Sequence, residues 1–133
     1  MTDDVAKRKV LGLVGLGIRG RLAVVGVQLV RDAAKRNRLK VALVASDASQ
    51  NSLDKVSSLL RARRVPVIGS MTGEELGGVA GRESVAVIGI MDAGLAKGIT
   101  SAIPAVIDEN AAENAGDSAG RTARLSRRRD SRR

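Results

Sequence analysis

The stretch from Leu39 to Val67 constrains the fold of this chain more strongly than any other segment. Val41 to Ala45 is a short and almost continuous apolar run, which is typical of a strand buried on both faces of a parallel sheet. A polar cluster ends this run, and Asn51 is placed to cap a helix whose apolar residues recur at helical spacing. The helix ends in arginines, and an extended run containing Pro66 follows. The stretch therefore predicts a strand–helix–strand crossover.

Further elements are predicted on both sides of this crossover. Before it, residues 22–25 form a short extended run, and residues 26–36 carry apolar side chains on one helical stripe. After it, Thr72 and Glu75 match a capping box at the start of a short helix, and residues 85–90 form another strand of the buried type. Asp92 is placed to cap a final helix. This order of elements is typical of an α/β protein.

The segment of residues 7–25 is open to two interpretations. Its apolar residues fit one face of a helix, but the glycines at positions 12, 15 and 17 are poor helix formers. If residues 9–14 form a strand, it leads into Gly15-Leu16-Gly17-Ile18-Arg19-Gly20, the glycine pattern with which dinucleotide-binding units approach a pyrophosphate. The surroundings fit this alternative poorly. The residues after Gly20 look extended, and no acidic residue follows at the required distance.

The residue types that the chain lacks restrict its chemistry. The sequence contains no Cys, no His and no aromatic residue. Zinc and transition-metal sites, disulfides and catalysis by imidazole or thiol are therefore not expected, and the scattered carboxylates form no acid–base pair. We expect no cofactor and no enzymatic activity. The absence of aromatic rings also argues against proteins that read single-stranded RNA by stacking its bases on a sheet.

The charge of the chain favours a polyanionic partner. The net charge is +9, which suits nucleic acid or an anionic membrane surface, although an arginine-rich composition alone could produce it. No apolar run approaches the roughly 20 residues of a transmembrane helix, and the N-terminus lacks the layout of a signal peptide. A cytoplasmic location is therefore expected by default.

The composition divides the chain into one domain with a tail. Residues 1–6 are expected to be frayed, residues 7–103 to form the domain, and residues 104–133 to be a disordered tail. Residues 121–133 contain seven arginines and one aspartate, a pattern that often acts as a polyanion-binding arm. The alternative is a tail that only keeps the protein in solution.

Several segments, taken in order and spacing, resemble one superfamily. They are Leu43–Ser49, Val65–Ile68, Glu74–Gly81, Val85–Val87 and Asp92–Lys97. The set is similar to the kink-turn-binding ribosomal protein superfamily of the L-seven-Ae, L-thirty-e, S-twelve-e and Gadd type, and within it to the small bacterial YlxQ-like members. The resemblance covers residues 7–100. It implies a three-layer α/β/α sandwich with a four-stranded mixed sheet, in which the glycines at 12, 15 and 17 lie in a first helix.

The resemblance also implies an RNA-binding site. Members of the superfamily grip RNA with the glycine-led start of the second helix, whose pattern is Gly-x-Asn-Glu-x-x-Lys, and with the loop before the last strand. This chain keeps the glycine as Gly26 and offers Gln28 in place of the asparagine. Leu29 and Asp32 replace the glutamate and the lysine, although Arg31 lies beside the lysine position. The second loop corresponds to residues 81–84.

We therefore expect a non-enzymatic RNA-binding protein that is monomeric when free and does not bind membranes. Its expected partner is structured RNA, with ribosomal RNA and the ribosome as candidates. The expected RNA-binding residues are Arg19, Gly20, Arg21, Gly26, Val27, Gln28, Arg31, Arg82, Glu83 and Ser84. Two alternatives remain open, a dinucleotide-binding protein that uses Gly15, Gly17 and Gly20, and a protein-binding scaffold on the same fold.

Overall fold

Helices and short strands alternate along residues 3–106, which are the residues that the computed structural model describes. The elements are α1 (Asp3–Arg19), β1 (Ala23–Val25), α2 (Val27–Lys35), β2 (Val41–Val44), α3 (Gln50–Ala62), β3 (Val67–Ile68), α4 (Gly73–Ala80), β4 (Val87–Ile90) and α5 (Ala93–Ala102). The predicted crossover is confirmed as β2, α3 and β3. Within these residues, no helix combines the length and the apolar character needed to cross a membrane.

The four strands form one mixed sheet in the order β1-β4-β2-β3. Both β1 and β2 run antiparallel to β4, and β3 runs parallel to β2. Successive residues of a strand point to opposite faces, so Val41 and Leu43 are buried in one apolar cluster and Ala42 in the other. Residues of α1, α4 and α5 complete the first cluster, and residues of α2 and α3 complete the second. The predicted three-layer α/β/α sandwich with a four-stranded mixed sheet is confirmed.

The strand directions give the sheet two unlike ends. Since β1, β2 and β3 point the same way, they finish together at one end, where α2, α3 and α4 begin and β4 starts. We call this the upper end. At the opposite end, the basal end, α1, α2 and α3 terminate and β4 finishes. Residues that are close in sequence but separated by a strand therefore lie at different ends of the molecule.

The first helix resolves the ambiguity of the N-terminal segment. Residues 9–14 belong to α1, as the resemblance implies, and the strand interpretation is wrong. Val10 and Val14 lie one turn apart and are fully buried against the sheet. A Cβ atom at Gly17 would lie 3.2 Å from Cδ1 of Leu95, so this glycine lets α1 approach α5 closely. Burial of the apolar face outweighs the roughly 1 kcal/mol that each glycine costs in a helix interior.

The predicted capping box is confirmed and starts α4. The N–H of Glu75 donates to Oγ1 of Thr72 at 3.1 Å, and the N–H of Thr72 donates to Oε1 of Glu75 at 2.9 Å. Asp92 also caps α5, since its Oδ2 accepts the N–H of Leu95 at 2.9 Å. The capping box anchors α4 at the upper end, while Asp92 anchors α5 at the basal end.

The prediction that Asn51 caps α3 is wrong. The helix begins at Gln50, and the carbonyl of Ser49 accepts the N–H of Leu53 at 3.1 Å. Because the residue whose carbonyl accepts the first helical bond is the cap, Ser49 holds that position and Asn51 lies inside the first turn. Several polar residues in succession offered the same capping chemistry, so local composition could not select among them.

Both termini of the described part extend beyond the predicted domain. Helix α1 begins at Asp3, inside the segment predicted to be frayed. Val106, in the segment assigned to the tail, exchanges two backbone hydrogen bonds with Val67 at 2.8 and 3.0 Å. The predicted disorder of residues 107–133, including their arginines, lies outside the described residues.

Candidate functional site

The turn from β1 into α2 lies at the upper end and depends on Gly26. Its φ is 100°, which only glycine adopts without strain, and this value directs the chain from the strand straight into the helix. The N–H of Gly26 donates to the carbonyl of Val87 at 2.9 Å, and its carbonyl accepts the N–H of Val30 at 3.0 Å. The start of α2 is therefore attached to the start of β4.

The first turn of α2 lacks the side-chain cap that α4 and α5 have. No side chain of the described residues caps this helix, and its first turn contains no acidic residue. The side chains of Thr72 and Asp92, in contrast, cap α4 and α5. The first N–H groups of a helix have no partners within it, and the helix dipole adds partial positive charge there. The start of α2 thus has the chemistry that binds a phosphate group.

Two side chains flank this uncapped turn. Gln28 is exposed, and its Nε2 donates to Oδ1 of Asp32 at 3.3 Å. Arg31 follows one turn after Gln28 and is half-buried, and its Nε is buried without an acceptor among the described residues. A buried donor without a partner costs about 1–3 kcal/mol. A rotation of Arg31 toward an external oxygen would therefore sacrifice no hydrogen bond at Nε.

The loop from α4 to β4 packs closely on α4. Helix α4 ends at Gly81, which adopts a left-handed conformation with φ 71°. A Cβ atom at Gly77 would lie 2.7 Å from the carbonyl oxygen of Arg82 and 2.8 Å from the nitrogen of Ser84, so the loop backbone rests directly on this glycine. Arg82, Glu83 and Ser84 are all exposed. Close packing against Gly77 therefore holds the loop backbone in place, and the side chains of these residues extend from it into solvent.

The loop after β2, which contains Asp47, supports this arrangement from the neighbouring strand. Oδ1 of Asp47 accepts the N–H of Gly73 at 2.8 Å, and the carbonyl of Gly73 accepts the N–H of Val85 at 3.0 Å. A cleft opens between these loops. It is lined by Ala45, Asp47, Ala48, Ser49, Gly73, Ser84, Val85 and Ala86. The charged residue in its lining is the carboxylate of Asp47, which disfavours a phosphate inside the cleft.

The structure brings two groups of the predicted RNA-binding residues together at the upper end. Residues 26–28 begin α2, and residues 82–84 precede β4. The hydrogen bond between Gly26 and Val87 joins the two strands, and Ser84 lies three residues before Val87, within about 10 Å along an extended chain. Arg31 lies on the same helix, one turn below residues 26–28.

The third group of predicted RNA-binding residues, residues 19–21, lies at the basal end. Arg19 ends α1, and Gly20 and Arg21 connect it to β1 at the basal end. The N–H of Met91, which follows β4, donates to the carbonyl of Leu22 at 2.8 Å. Strand β1 separates Arg21 from Gly26 by five residues, up to about 16 Å of extended chain. The residues that the sequence predicts to bind RNA are therefore divided between the two ends of the sheet.

The dinucleotide-binding alternative lacks the geometry that it requires. Gly15 and Gly17 lie inside α1, and Gly20 follows its last residue, so no helix begins at the motif. A pyrophosphate there would meet the C-terminal end of α1, where the helix dipole carries partial negative charge. The glycine pattern is therefore not a dinucleotide-binding fingerprint in this fold.

The upper end does not carry an excess of positive charge. Among the described residues, the carboxylates near its loops and the starts of its helices are Asp4, Asp47, Asp54, Glu74, Glu75 and Glu83, and the cations are Lys7, Arg8, Lys9, Arg31, Lys55 and Arg82. Nζ of Lys7 lies 3.6 Å from Oε1 of Glu75. The hydrogen bond from the backbone N–H of Thr72 and the charge of Lys7 hold the pKa of Glu75 below its ordinary value, so this carboxylate stays ionised.

The sequence interpretation missed the residues that support the loop of residues 81–84. They are Asp47, Gly73 and Gly77. The glycines at 73 and 77 are four residues apart and therefore share a face of α4. Small residues at that spacing indicate a close approach by another segment, so this signal could have identified the contact.

Comparisons with known proteins identify relatives of this chain. No protein-family model matches it. The RNA-binding protein YlxQ of Bacillus subtilis (strain 168) is 32% identical over 91 residues, which cover 68% of this chain and 91% of that protein. The RNA-binding protein YlxQ of Enterococcus faecium is 30% identical over 91 residues, covering 68% and 87%. A solved structure of a protein with unknown function from Bacillus halodurans matches with a TM-score of 0.66 and 27% identity, covering 71% of this chain and 96% of that one.

Proposed function

This chain belongs to the YlxQ family, and we propose from that membership that it is an RNA-binding protein without enzymatic activity. The observation that carries the proposal is the uncapped start of α2, which lies beside the loop of residues 81–84. No side chain of the described residues caps the first N–H groups of the helix, and the loop adds exposed polar side chains from the segment before the adjacent strand. Together they form a surface that suits an RNA phosphate and the bases next to it.

The contacts at this surface divide into phosphate and base contacts. The first N–H groups of α2 bind a phosphate, and Arg31 rotates outward to neutralise a second one. Gln28 contacts a base edge. Asp32 accepts one hydrogen of its Nε2 atom, which leaves Oε1 as an acceptor and the second Nε2 hydrogen as a donor for the edge of a base. Arg82 adds a further phosphate contact from the second loop.

We propose structured RNA as the ligand, with a kink-turn or ribosomal RNA as the finer candidate. The chain lacks aromatic side chains on which single-stranded bases could stack, which favours a ligand recognised by its shape and backbone. Leu29 and Asp32 stand where the superfamily has glutamate and lysine, and the side chain of Leu29 is half exposed. An apolar side chain and a carboxylate at these positions weaken the grip on a kink-turn without removing the contacts of the helix start.

The test is a binding titration of the full chain with three labelled RNAs, a kink-turn, a plain duplex and a single strand of equal length. We expect salt-dependent binding that is tightest for the kink-turn and weakest for the single strand. A double variant, Leu29→Glu with Asp32→Lys, restores the superfamily pattern and should increase the preference for the kink-turn over the duplex. Absence of binding to all three RNAs at low salt would contradict the proposed function.

A further inference from the structure

The basal end carries a dense group of cations. They lie in the three connections from α1 to β1, from α2 to β2 and from α3 to β3, and all three connections reach this end because the strands are parallel to one another. The basal cations are Arg19, Arg21, Lys35, Arg36, Arg38, Lys40, Arg61, Arg63 and Arg64. Arg61 is half-buried and the others are exposed. Three strand spacings separate the starts of β1 and β3, so the group spans about 14 Å before the side chains extend it.

Few carboxylates offset these charges. Among the described residues, Asp32 lies one turn before the end of α2, and Asp92 follows β4. Asp92 is engaged as the cap of α5. The nine basal cations therefore face two carboxylates, whereas acidic residues are at least as numerous as cations near the loops of the upper end. The excess positive charge of the described domain is concentrated at the end opposite the start of α2.

Two of the basal arginines have an unusual backbone conformation. Arg21, Asn37 and Arg64 adopt left-handed conformations with φ values of 61°, 58° and 56°, one in each of the three connections. Glycine adopts this conformation at no steric cost and is the residue that most often ends a helix in this way, while an arginine is strained there. Strained backbone positions of this kind cluster at functional sites. Nη1 of Arg63 also donates to Oδ1 of Asn37 at 3.1 Å, which links two of the connections.

Helix dipoles account for only part of this group. Cations near a helix C-terminus are stabilising, and Arg19, Lys35 and Arg61 lie in the last turns of α1, α2 and α3. The effect is confined to the last turn of a helix. It does not explain Arg38 and Lys40, which continue the series up to the first residue of β2.

We propose that the basal end is a second RNA-binding surface, which contacts the phosphates of a double-helical segment. This inference rests on the proposed RNA binding and extends it to a surface separated from the start of α2 by the length of the sheet. Phosphates are the expected target because arginine and lysine side chains dominate the surface and no aromatic ring is available to stack on a base. A duplex presents closely spaced phosphates that several cations can contact at once.

The test compares variants that remove equal charge from different places. The double variant Arg21→Gly with Arg64→Gly removes two basal charges and places glycine at two left-handed positions. We expect its Kd for a 20-base-pair RNA duplex to rise roughly tenfold, and the salt slope of binding to fall by about 2, one for each lost phosphate contact. Its melting temperature should stay close to that of wild type, because relief of the backbone strain at two left-handed positions offsets the interactions that the side chains lose.

One control isolates the cause. Lys9→Gln with Lys55→Gln removes two charges from exposed positions on α1 and α3 away from the basal end, and should change the Kd less than twofold.

The outcomes separate this inference from the proposed function. If wild type binds the kink-turn RNA and the duplex, but the basal and control double variants weaken duplex binding equally, net charge alone is responsible and the inference is wrong. It is also wrong if the basal double variant binds the duplex as tightly as wild type does. If wild type binds neither RNA, the proposed function fails and this inference fails with it.

Discussion

Gly77 lies directly beneath the carbonyl group of Arg82, and a Cβ atom at Gly77 would come within 2.7 Å of that carbonyl oxygen. The contact makes the loop of residues 81–84 rest on α4, and the bond between Gly73 and Val85 holds the loop's far end. The position of this loop, and with it part of the proposed RNA-binding surface at the upper end, therefore requires a residue without a Cβ atom at position 77.

Gly77→Ala should disturb both stability and RNA binding. Because the clash involves backbone atoms, the loop must move, and we expect a loss of about 1–3 kcal/mol in the free energy of unfolding and weaker binding to the kink-turn RNA. Gly78→Ala is the matched control, since it lies next in the same helix with nothing within 4 Å of the added Cβ. It should stabilise the protein by up to about 1 kcal/mol. Urea unfolding of the two variants checks the prediction, which a stabilised Gly77→Ala would contradict.

Substitutions in α1 should reveal which of its glycines are needed for packing. Gly12→Ala places a methyl group in open space on an exposed position, and should raise the free energy of unfolding by about 1 kcal/mol. Gly17→Ala gains the same helix propensity but brings the methyl group to 3.2 Å from Leu95 and 3.4 Å from Ala23. We therefore expect a smaller gain or a loss. Thermal and urea unfolding measure the difference, and an equal gain for both variants would show that α1 does not approach α5 as closely as described.

Gln28 and Arg31 should make different contributions to RNA binding. Arg31→Ala is expected to weaken binding to all RNAs alike and to reduce the salt slope by about 1, because it removes one phosphate contact. Gln28→Ala should cost about 1–3 kcal/mol on the preferred RNA and little on a plain duplex, as the loss of a base contact does. Titrations at two salt concentrations with a kink-turn RNA and a duplex separate these effects. If both substitutions are silent on both RNAs, the start of α2 is not the binding site.

Glu75 should make stability depend on pH in the acidic range. Its pKa in the folded protein is lowered, first by the backbone N–H of Thr72 and also by Lys7, from an ordinary value of 4.5. A carboxylate with a lowered folded pKa contributes stability above its unfolded pKa and loses that contribution as the pH falls through the folded value. Stability should therefore decline below about pH 4.5, and Glu75→Gln should decline less.

Urea unfolding at pH 7, 4.5 and 3 measures this dependence. Glu74→Gln is the control, because Glu74 is an exposed neighbour in the same helical turn and takes no part in the capping box. The prediction would be contradicted if Glu75→Gln and wild type lost the same stability between pH 7 and pH 3.

The sequence by itself determined those elements whose signals are local. The apolar run that became β2, the capping box of α4 and the cap of α5 each depend on residues within one or two turns, and all three are confirmed. The glycine that begins α2 is likewise set by local backbone geometry, since its φ of 100° excludes other residues without strain. The assignment of individual residues to RNA binding stays a prediction. The local signals concern secondary structure only and say nothing about contacts with RNA.

Only the tertiary structure decided what the N-terminal segment forms and which arginines share a surface. The glycines of α1 oppose a helix locally, and burial of Val10 and Val14 against the sheet overrides that preference. Arg21 and Gly26 are five residues apart in sequence, yet a strand carries them to opposite ends of the sheet. Arg21 and Arg64 are far apart in sequence, yet parallel strands bring their turns to the same end. The crossover predicted from the sequence implies that β2 and β3 are parallel, but the place of β4 between β1 and β2 is set by long-range pairing, which no local pattern encodes.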